Sequence, residues 1–165
     1  MIRAILHADK NWGIGKKNGL MFSIPQDMKF FRETTSGKTV VMGENTLASF
    51  PGGKPLKNRV NIVLSPTQVR DDVIIVRSLG EALEQMKKAE GDVFVVGGAS
   101  VYRQLLPYCE EVYVTKVDAV GDADAFFPNL DEDENFVCVY QSEPIDDNGY
   151  IIRFTTYKNV AAQPI

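Results

Sequence analysis

Short, nearly unbroken runs of valine and isoleucine limit this chain's fold more than any other feature. Val60–Leu64 (VNIVL), Val73–Val76 (VIIV) and Val93–Val96 (VFVV) carry almost no polar residue on either face. A strand with one wet face alternates, whereas a strand covered on both faces does not. Two-sided cover is the mark of a mostly parallel sheet between helical layers. Ile2–Leu6, Thr39–Met42, Val112–Val117, Phe136–Tyr140 and Tyr150–Tyr157 bring the expected strands to eight. The last two alternate more and are separated by Pro144 and Asp146–Gly149, so they read as an antiparallel pair at one edge.

Helix signals lie between the strands. Ser23 precedes Pro25, with Gln26 three residues on, which predicts a capped helix from Pro25 to Thr35. Ser78 and Glu81 form a second capping box that opens a helix to about Ala89. Short helices are expected after Gly43, with Asn45 and Thr46 as capping candidates, and after Gly98, ending near Pro107. Strands alternating with helices define an α/β fold: an eight-stranded, mostly parallel central sheet with an antiparallel C-terminal edge and four flanking helices. The 165 residues show no repeat or linker, so one domain over 1–165 is expected.

Composition narrows the function. Lys and Arg number 18 against 22 Asp and Glu, a net charge of −4, which argues against nucleic acid as a partner. No apolar run approaches a membrane span, and the start, MIRAILHADK, is too short for a signal-peptide core. A cytoplasmic monomer is the expectation. Cys109 and Cys138 stand apart without a metal-ligand pattern, so no metal is expected. Both thiols are expected buried and reduced; a single disulfide is the alternative. The only histidine is His7, inside a strand pattern, which disfavours triad chemistry.

Ligands of open α/β sheets bind at the carboxyl ends of the strands. Three such ends stand out. Gly97-Gly98-Ala99-Ser100 runs from a strand into a helix, which suits a phosphate or a tight turn. Gly43-Glu44-Asn45-Thr46 repeats the pattern, and plain helix capping is the favoured reading there. The two together could bracket a pyrophosphate. Asp9–Leu20 contains Gly13, Gly15 and Gly19 and reads as a lid or a surface loop. Asp27 sits in a first helical turn, where the helix dipole alone would account for a carboxylate. Phe30 and Phe31 share its face, and desolvation there would suit a proton donor near neutrality. The acidic stretch Asp131–Glu134 reads as a solvated loop.

Taken in order, WGIGKKNGLMFSIPQDMKFF, TVVMGENTLASFPGGKPLKNRVNIVLS, VFVVGGASVYRQLLP, VYVTKVD and ADAFFP resemble the bacterial dihydrofolate reductase family over nearly the whole length. The resemblance implies hydride transfer from NADPH to 7,8-dihydrofolate. It makes Asp27 the pterin carboxylate, supported by Thr115, with Phe22 and Leu20 beside the reacting ring. The Ile5 and Val96 carbonyls and Tyr102 would line the pterin pocket. Phe31, Phe50 and Leu56 would hold the aminobenzoyl ring. Arg59 would clamp the glutamate carboxylate, with Arg32 and Lys54 as weaker candidates.

On the cofactor side the resemblance implies His7, Ile14, Gly15, Asn18, Gly19 and Leu20 at the nicotinamide. Gly43, Glu44, Asn45, Thr46 and Gly97, Gly98, Ala99, Ser100, Val101, Tyr102 would border the pyrophosphate. Val96 would also touch the cofactor, and Leu64, Ser65, Arg77 and Ser78 would approach the adenosine. It also implies a cis Gly97–Gly98 bond, and Asp124 in the loop that steadies the lid. Antifolates with a diaminopyrimidine or diaminopteridine head would pair with Asp27.

Three departures matter. Met21 and Phe22 stand where the family usually has Pro and Trp. His7 stands where a small residue is common, its imidazole facing the core or crowding the cofactor. Glu44 and Ser100 stand where a basic residue often meets the 2′-phosphate, so NADH is also expected to be usable. Two other readings stay open: another NAD(P)H-dependent pterin or pyrimidine reductase, and a non-catalytic folate- or nucleotide-binding module.

Overall fold

The Val/Ile runs pair side by side in the computed structural model, which describes all of residues 1–165 except Asn18. The parallel strands are β1 (Ile2–Ala8), β3 (Thr39–Gly43), β4 (Val60–Leu64), β5 (Ile74–Val76), β6 (Val93–Gly97) and β7 (Glu111–Val117); β2 (Gly13–Gly15) lies outside this sheet. They run in the order β7-β1-β6-β3-β4-β5. Every pairing among them is parallel. The long strand β11 (Tyr150–Asn159) lies antiparallel to β7. Its far edge pairs with both β9 (Phe136–Gln141) and β10 (Ile145–Asp147). The sheet is therefore eight positions wide, with an antiparallel C-terminal edge.

Three short strands carry no signal in the sequence. β2 pairs with β8 (Ala125–Phe126), and two or three residues cannot display a period. β10 falls in the stretch expected to be pure turn. Asn148 and Gly149 have φ of 55° and 84°, a primed two-residue turn that joins β10 directly to β11.

Both faces of the sheet are buried. Ala4, Leu6 and Val41 join one core with Ala82 and Met86 from α3 (Leu79–Lys87) and Val101 and Leu105 from α4 (Ala99–Leu105). Ile5, Val40 and Met42 join the other, with Phe30 and Phe31 from α1 (Pro25–Thr35) and Leu47 from α2 (Glu44–Ser49). Each such aliphatic side chain contributes roughly 1.5–3 kcal/mol on burial. Alternation along β1 and β7 therefore turns His7 and Thr115 towards α1, on the side of Ile5 and Tyr113.

The helix caps only partly follow expectation. Ser78 Oγ accepts the Glu81 N–H at 3.2 Å, and Glu81 accepts the Arg77 N–H at 2.6 Å. Ser23 caps nothing. Asp147 on β10 accepts the Gln26 N–H at 2.7 Å, and Asn148 donates to the Ser23 carbonyl. A neighbouring hairpin thus does what a local serine was expected to do. Asn45 and Thr46 do not cap α2 either, because that helix begins one residue earlier, at Glu44.

Cys109 is buried and its thiol is pushed up to about 12 by that burial. Cys138 is exposed, contrary to expectation, because β9 is an edge strand with an open outer face; both cysteines are free. Asp131 is not simply solvated: it accepts the Tyr157 hydroxyl at 2.6 Å and pairs with Lys116 at 3.0 Å. Among the described residues, no helix is long and apolar enough to cross a membrane.

Candidate active site

Asp27 lies in the first turn of α1, over the carboxyl ends of β1 and β7. Its side chain is 14% exposed. Thr115 Oγ1 donates to Oδ1 at 2.7 Å, and His7 Nδ1 lies 3.0 Å from Oδ2. His7 and Thr115 are register partners on adjacent parallel strands, so one helix turn meets both at once. Both carboxylate oxygens of Asp27 are thus engaged. The His7 contact was not foreseen, since the strand pattern placed the imidazole without showing what it would meet.

The rest of the pocket assembles around this group. Phe22 is buried, its ring 6.0 Å from that of His7 and 4.9 Å from that of Tyr150. A Cβ on Gly121 would come within 2.6 Å of Met21 Sδ and 3.2 Å of Phe22 Cζ, so glycine there lets the chain close on this wall. Tyr102, from α4, donates its hydroxyl to the Ile5 carbonyl at 2.7 Å, and burial pushes that phenol far above its ordinary value. Val96 stands at a register break between β3 and β6, opposite no β3 residue.

Phe31, Phe50 and Leu56 are half-buried against the α1 side of the core. Arg59 is held at one end of this strip. Its Nε donates to Thr35 Oγ1 at 2.8 Å, and Nη1 and Nη2 donate to the Lys57 and Arg32 carbonyls. Its guanidinium also stands 6.0 Å from the Phe31 ring centroid. Burial first, and then the Arg32 charge, lowers its pKa below the ordinary value. Among the described residues it makes no ion pair, so a fixed cation with Arg32 nearby is left to meet an anion. Asn61 positions this loop by exchanging hydrogen bonds with the Leu56 backbone, a role invisible in the sequence. Arg32 and Lys54 are exposed.

β3 and β6 end beside each other, in Gly43 and Gly97. The Gly97–Gly98 peptide is cis. A Cβ on Gly97 would lie 3.2 Å from Thr46 Oγ1, and one on Gly43 would lie 3.2 Å from Val101. Neither α2 nor α4 has a side-chain cap. Ala99 begins α4, and Ser100 is exposed with its Oγ taken by Gln104. Beside these strand ends Glu44 accepts the Ser65 hydroxyl at 2.6 Å, and Arg77 donates to the Ser65 carbonyl. Leu64 ends β4 next to Ser65, and Ser78 is occupied as the α3 cap.

The glycine-rich segment is tied down at several points. Asp9 accepts the N–H groups of Asn11, Gly13 and Gly121. Asp124 accepts the Lys17 N–H and donates its own N–H to the Gly15 carbonyl. Ile14 and Gly19 are partly covered, Gly15 is buried and Leu20 is 67% exposed. Asn18 lies outside the described residues. A separate cleft of about 400 Å³ lies by Trp12, Lys116 and Arg153. Its Lys10–Asp118 and Lys116–Asp131 charges are already paired.

A mostly parallel α/β sheet with a held carboxylate and paired glycines at its strand ends is the layout that open α/β proteins use to bind small molecules. A dihydrofolate reductase family model matches residues 1–159, and the chain belongs to that family. The Bacillus subtilis (strain 168) dihydrofolate reductase is 35% identical over 161 residues, 96% of this chain and 94% of that protein. The Schistosoma mansoni dihydrofolate reductase is 33% identical, covering 94% of this chain and 95% of its own. In structure, the Enterococcus faecalis dihydrofolate reductase complexed with NADP(H) and RAB-propyl superimposes with a TM-score of 0.87. It is 32% identical, with 96% of each chain covered.

Proposed function

We propose that this chain reduces 7,8-dihydrofolate to 5,6,7,8-tetrahydrofolate with NADPH, as one domain spanning residues 1–165. The observation that carries the reading is Asp27, a nearly buried carboxylate held by Thr115 and His7 at the strand ends. Such a group accepts hydrogen bonds from the amino and ring N–H edge of a pterin and promotes protonation at N5. Phe22, Leu20, Ile5, Val96 and Tyr102 wall the pterin and exclude water. Phe31, Phe50 and Leu56 cover the aminobenzoyl ring. Arg59 receives the glutamate carboxylate, where a guanidinium bonds bidentately, with Arg32 and Lys54 at the rim.

NADPH supplies the hydride when bound. The residues present suit it along the pyrophosphate, where Gly97, Gly98 and Gly43 let backbone approach closely and the α2 and α4 starts lack side-chain caps. Asn45, Thr46, Ala99, Ser100 and Val101 border that stretch; His7, Ile14, Gly15, Gly19 and Leu20 border the nicotinamide. Leu64, Ser65, Arg77 and Ser78 flank the adenosine, where Glu44 adds negative charge. The protein is a cytoplasmic monomer, without nucleic-acid or metal partners, and binds diaminopyrimidine and diaminopteridine antifolates through Asp27.

The test is the loss of reduced-nicotinamide absorbance when protein, NADPH and dihydrofolate are mixed. Turnover that needs all three is expected. Absence of turnover, or turnover of a different pterin or pyrimidine alone, would transfer the chain to one of the other readings.

A further inference from the structure

Nothing in the reaction as described above requires a histidine, yet the only histidine of the chain is bonded to its key carboxylate. The His7 side chain is 3% exposed. Its Nε2 is buried and has no hydrogen-bond partner. Buried polar atoms are normally satisfied, so an orphan at a ligand pocket marks a place where a proton, a water or a ligand atom completes the site. Phe22, the ring facing His7, has no polar atom with which to do so.

We infer that His7 is a positioning residue for Asp27, the two forming one proton-sharing pair whose charge state governs dihydrofolate reduction. This rests on the reading of the pocket as the dihydrofolate site. The Nδ1–Oδ2 contact contains one proton in either arrangement. Imidazole Nδ1–H donates to the carboxylate and leaves Nε2 bare, or a carboxylic acid donates to Nδ1 of an imidazole that already carries its own proton on Nε2. Thr115 donates to the other oxygen in both cases, so Oδ1 stays an acceptor. The first arrangement takes a second proton at Nε2 without breaking either bond, giving an imidazolium against a carboxylate, which is the second arrangement with the shared proton moved across. The pair thus holds one proton or two in the same geometry.

The surroundings leave the pair to itself. From β7 it meets Thr115, with Tyr113 two residues before. From α1 it meets Asp27, from the preceding loop Phe22, and from β11, behind Phe22, Tyr150. Tyr102 of α4 is committed to the Ile5 carbonyl and kept uncharged by its burial. Lys116 turns to the opposite face, over Trp12. Among the described residues, no lysine or arginine pairs with Asp27.

Two measurements decide the matter. The first is the single-turnover hydride-transfer rate against pH in wild type and His7→Ala. The wild type is expected to show the two ionisations of a coupled pair and the variant one. The variant's loss at neutral pH should be about 10-fold, below the ~10²–10⁴-fold typical of losing an acid–base group itself. The second is NMR of the single histidine ring, compared in wild type and Asp27→Asn; it needs no replacement of His7. The pH response of the ring signals is expected to change when the carboxylate becomes an amide. Superimposable pH profiles, or ring signals indifferent to Asp27→Asn, overturn the inference. If the wild type reduces no dihydrofolate, the assigned reaction fails, and the NMR comparison still decides whether the pair exists.

Discussion

Arg59 and Glu44 are the two residues whose chemistry is most exposed to test, because each is held in place by contacts that do not use its charge. Arg59 is pinned by Thr35 and two carbonyls while its charge goes unmatched among the described residues. Arg59→Leu should weaken dihydrofolate binding by about 1.5–3 kcal/mol, the worth of a charged hydrogen bond. A diaminopyrimidine without a glutamate tail should bind as before; an equal loss for both ligands would refute the clamp. Glu44 is tied to Ser65, whose buried hydroxyl also accepts the Gln68 N–H. An acidic residue at a ribose suits a 2′-hydroxyl, whereas a 2′-phosphate is normally met by Arg or Lys. The advantage of NADPH over NADH should therefore be small. Glu44→Arg should raise it by about 1.5–3 kcal/mol, less at high salt. The ratio of kcat/KM for the two cofactors measures this, and an unchanged ratio would mean the carboxylate plays no part in cofactor choice.

At the scale of elements, what was legible depended on how local the signal is. The continuous Val/Ile runs announce β4, β5 and β6, because two-sided cover leaves almost no polar position; β5 turns out to be the sheet's edge, with Ile74 exposed. The α3 capping box is equally local and forms as read. The α1 start misleads, because its N–H is satisfied by Asp147, 121 residues away. The His7–Asp27 and Asn61–Leu56 bonds escaped for a related reason. Spacing places each residue on an element, but only packing shows which neighbour it reaches. Replacing Asp147 should therefore act on α1. Asp147→Ala is expected to lower stability by about 0.5–2 kcal/mol, the range for a lost N-cap. Denaturant unfolding measures it; a loss no larger than that of Ser23→Ala would deny the long-range cap its role.

For the whole molecule, acid stability follows from carboxylates that bridge distant segments. Asp92 receives both the N-terminal amine and Arg3, and Asp131 receives Tyr157 and Lys116. In each case burial opposes ionisation, but the paired donors outweigh it and the carboxyl is held below its ordinary value. A depressed folded value gives stability that is complete above the unfolded value, about 3.9. That stability is lost as pH falls through the folded value. Tm should stay level from neutrality down to about pH 5 and then fall. Both sites are partly exposed, so each contributes only ~0.2–1 kcal/mol. Asp131→Asn should fall less steeply in acid; an identical acid slope would mean that Asp131 does not contribute to acid stability.

Asp27→Asn tests, with the smallest change of shape, the proposal that Asp27 lets this pocket reduce dihydrofolate at neutral pH. The measurement is the rate of dihydrofolate-dependent NADPH oxidation, wild type against variant, from neutral to mildly acidic pH. A folded variant is expected, with activity lower by about 10²–10⁴-fold at pH 7, recovering as the pH falls and solvent supplies the proton. A variant that turns over dihydrofolate at near the wild-type rate at pH 7 would contradict it.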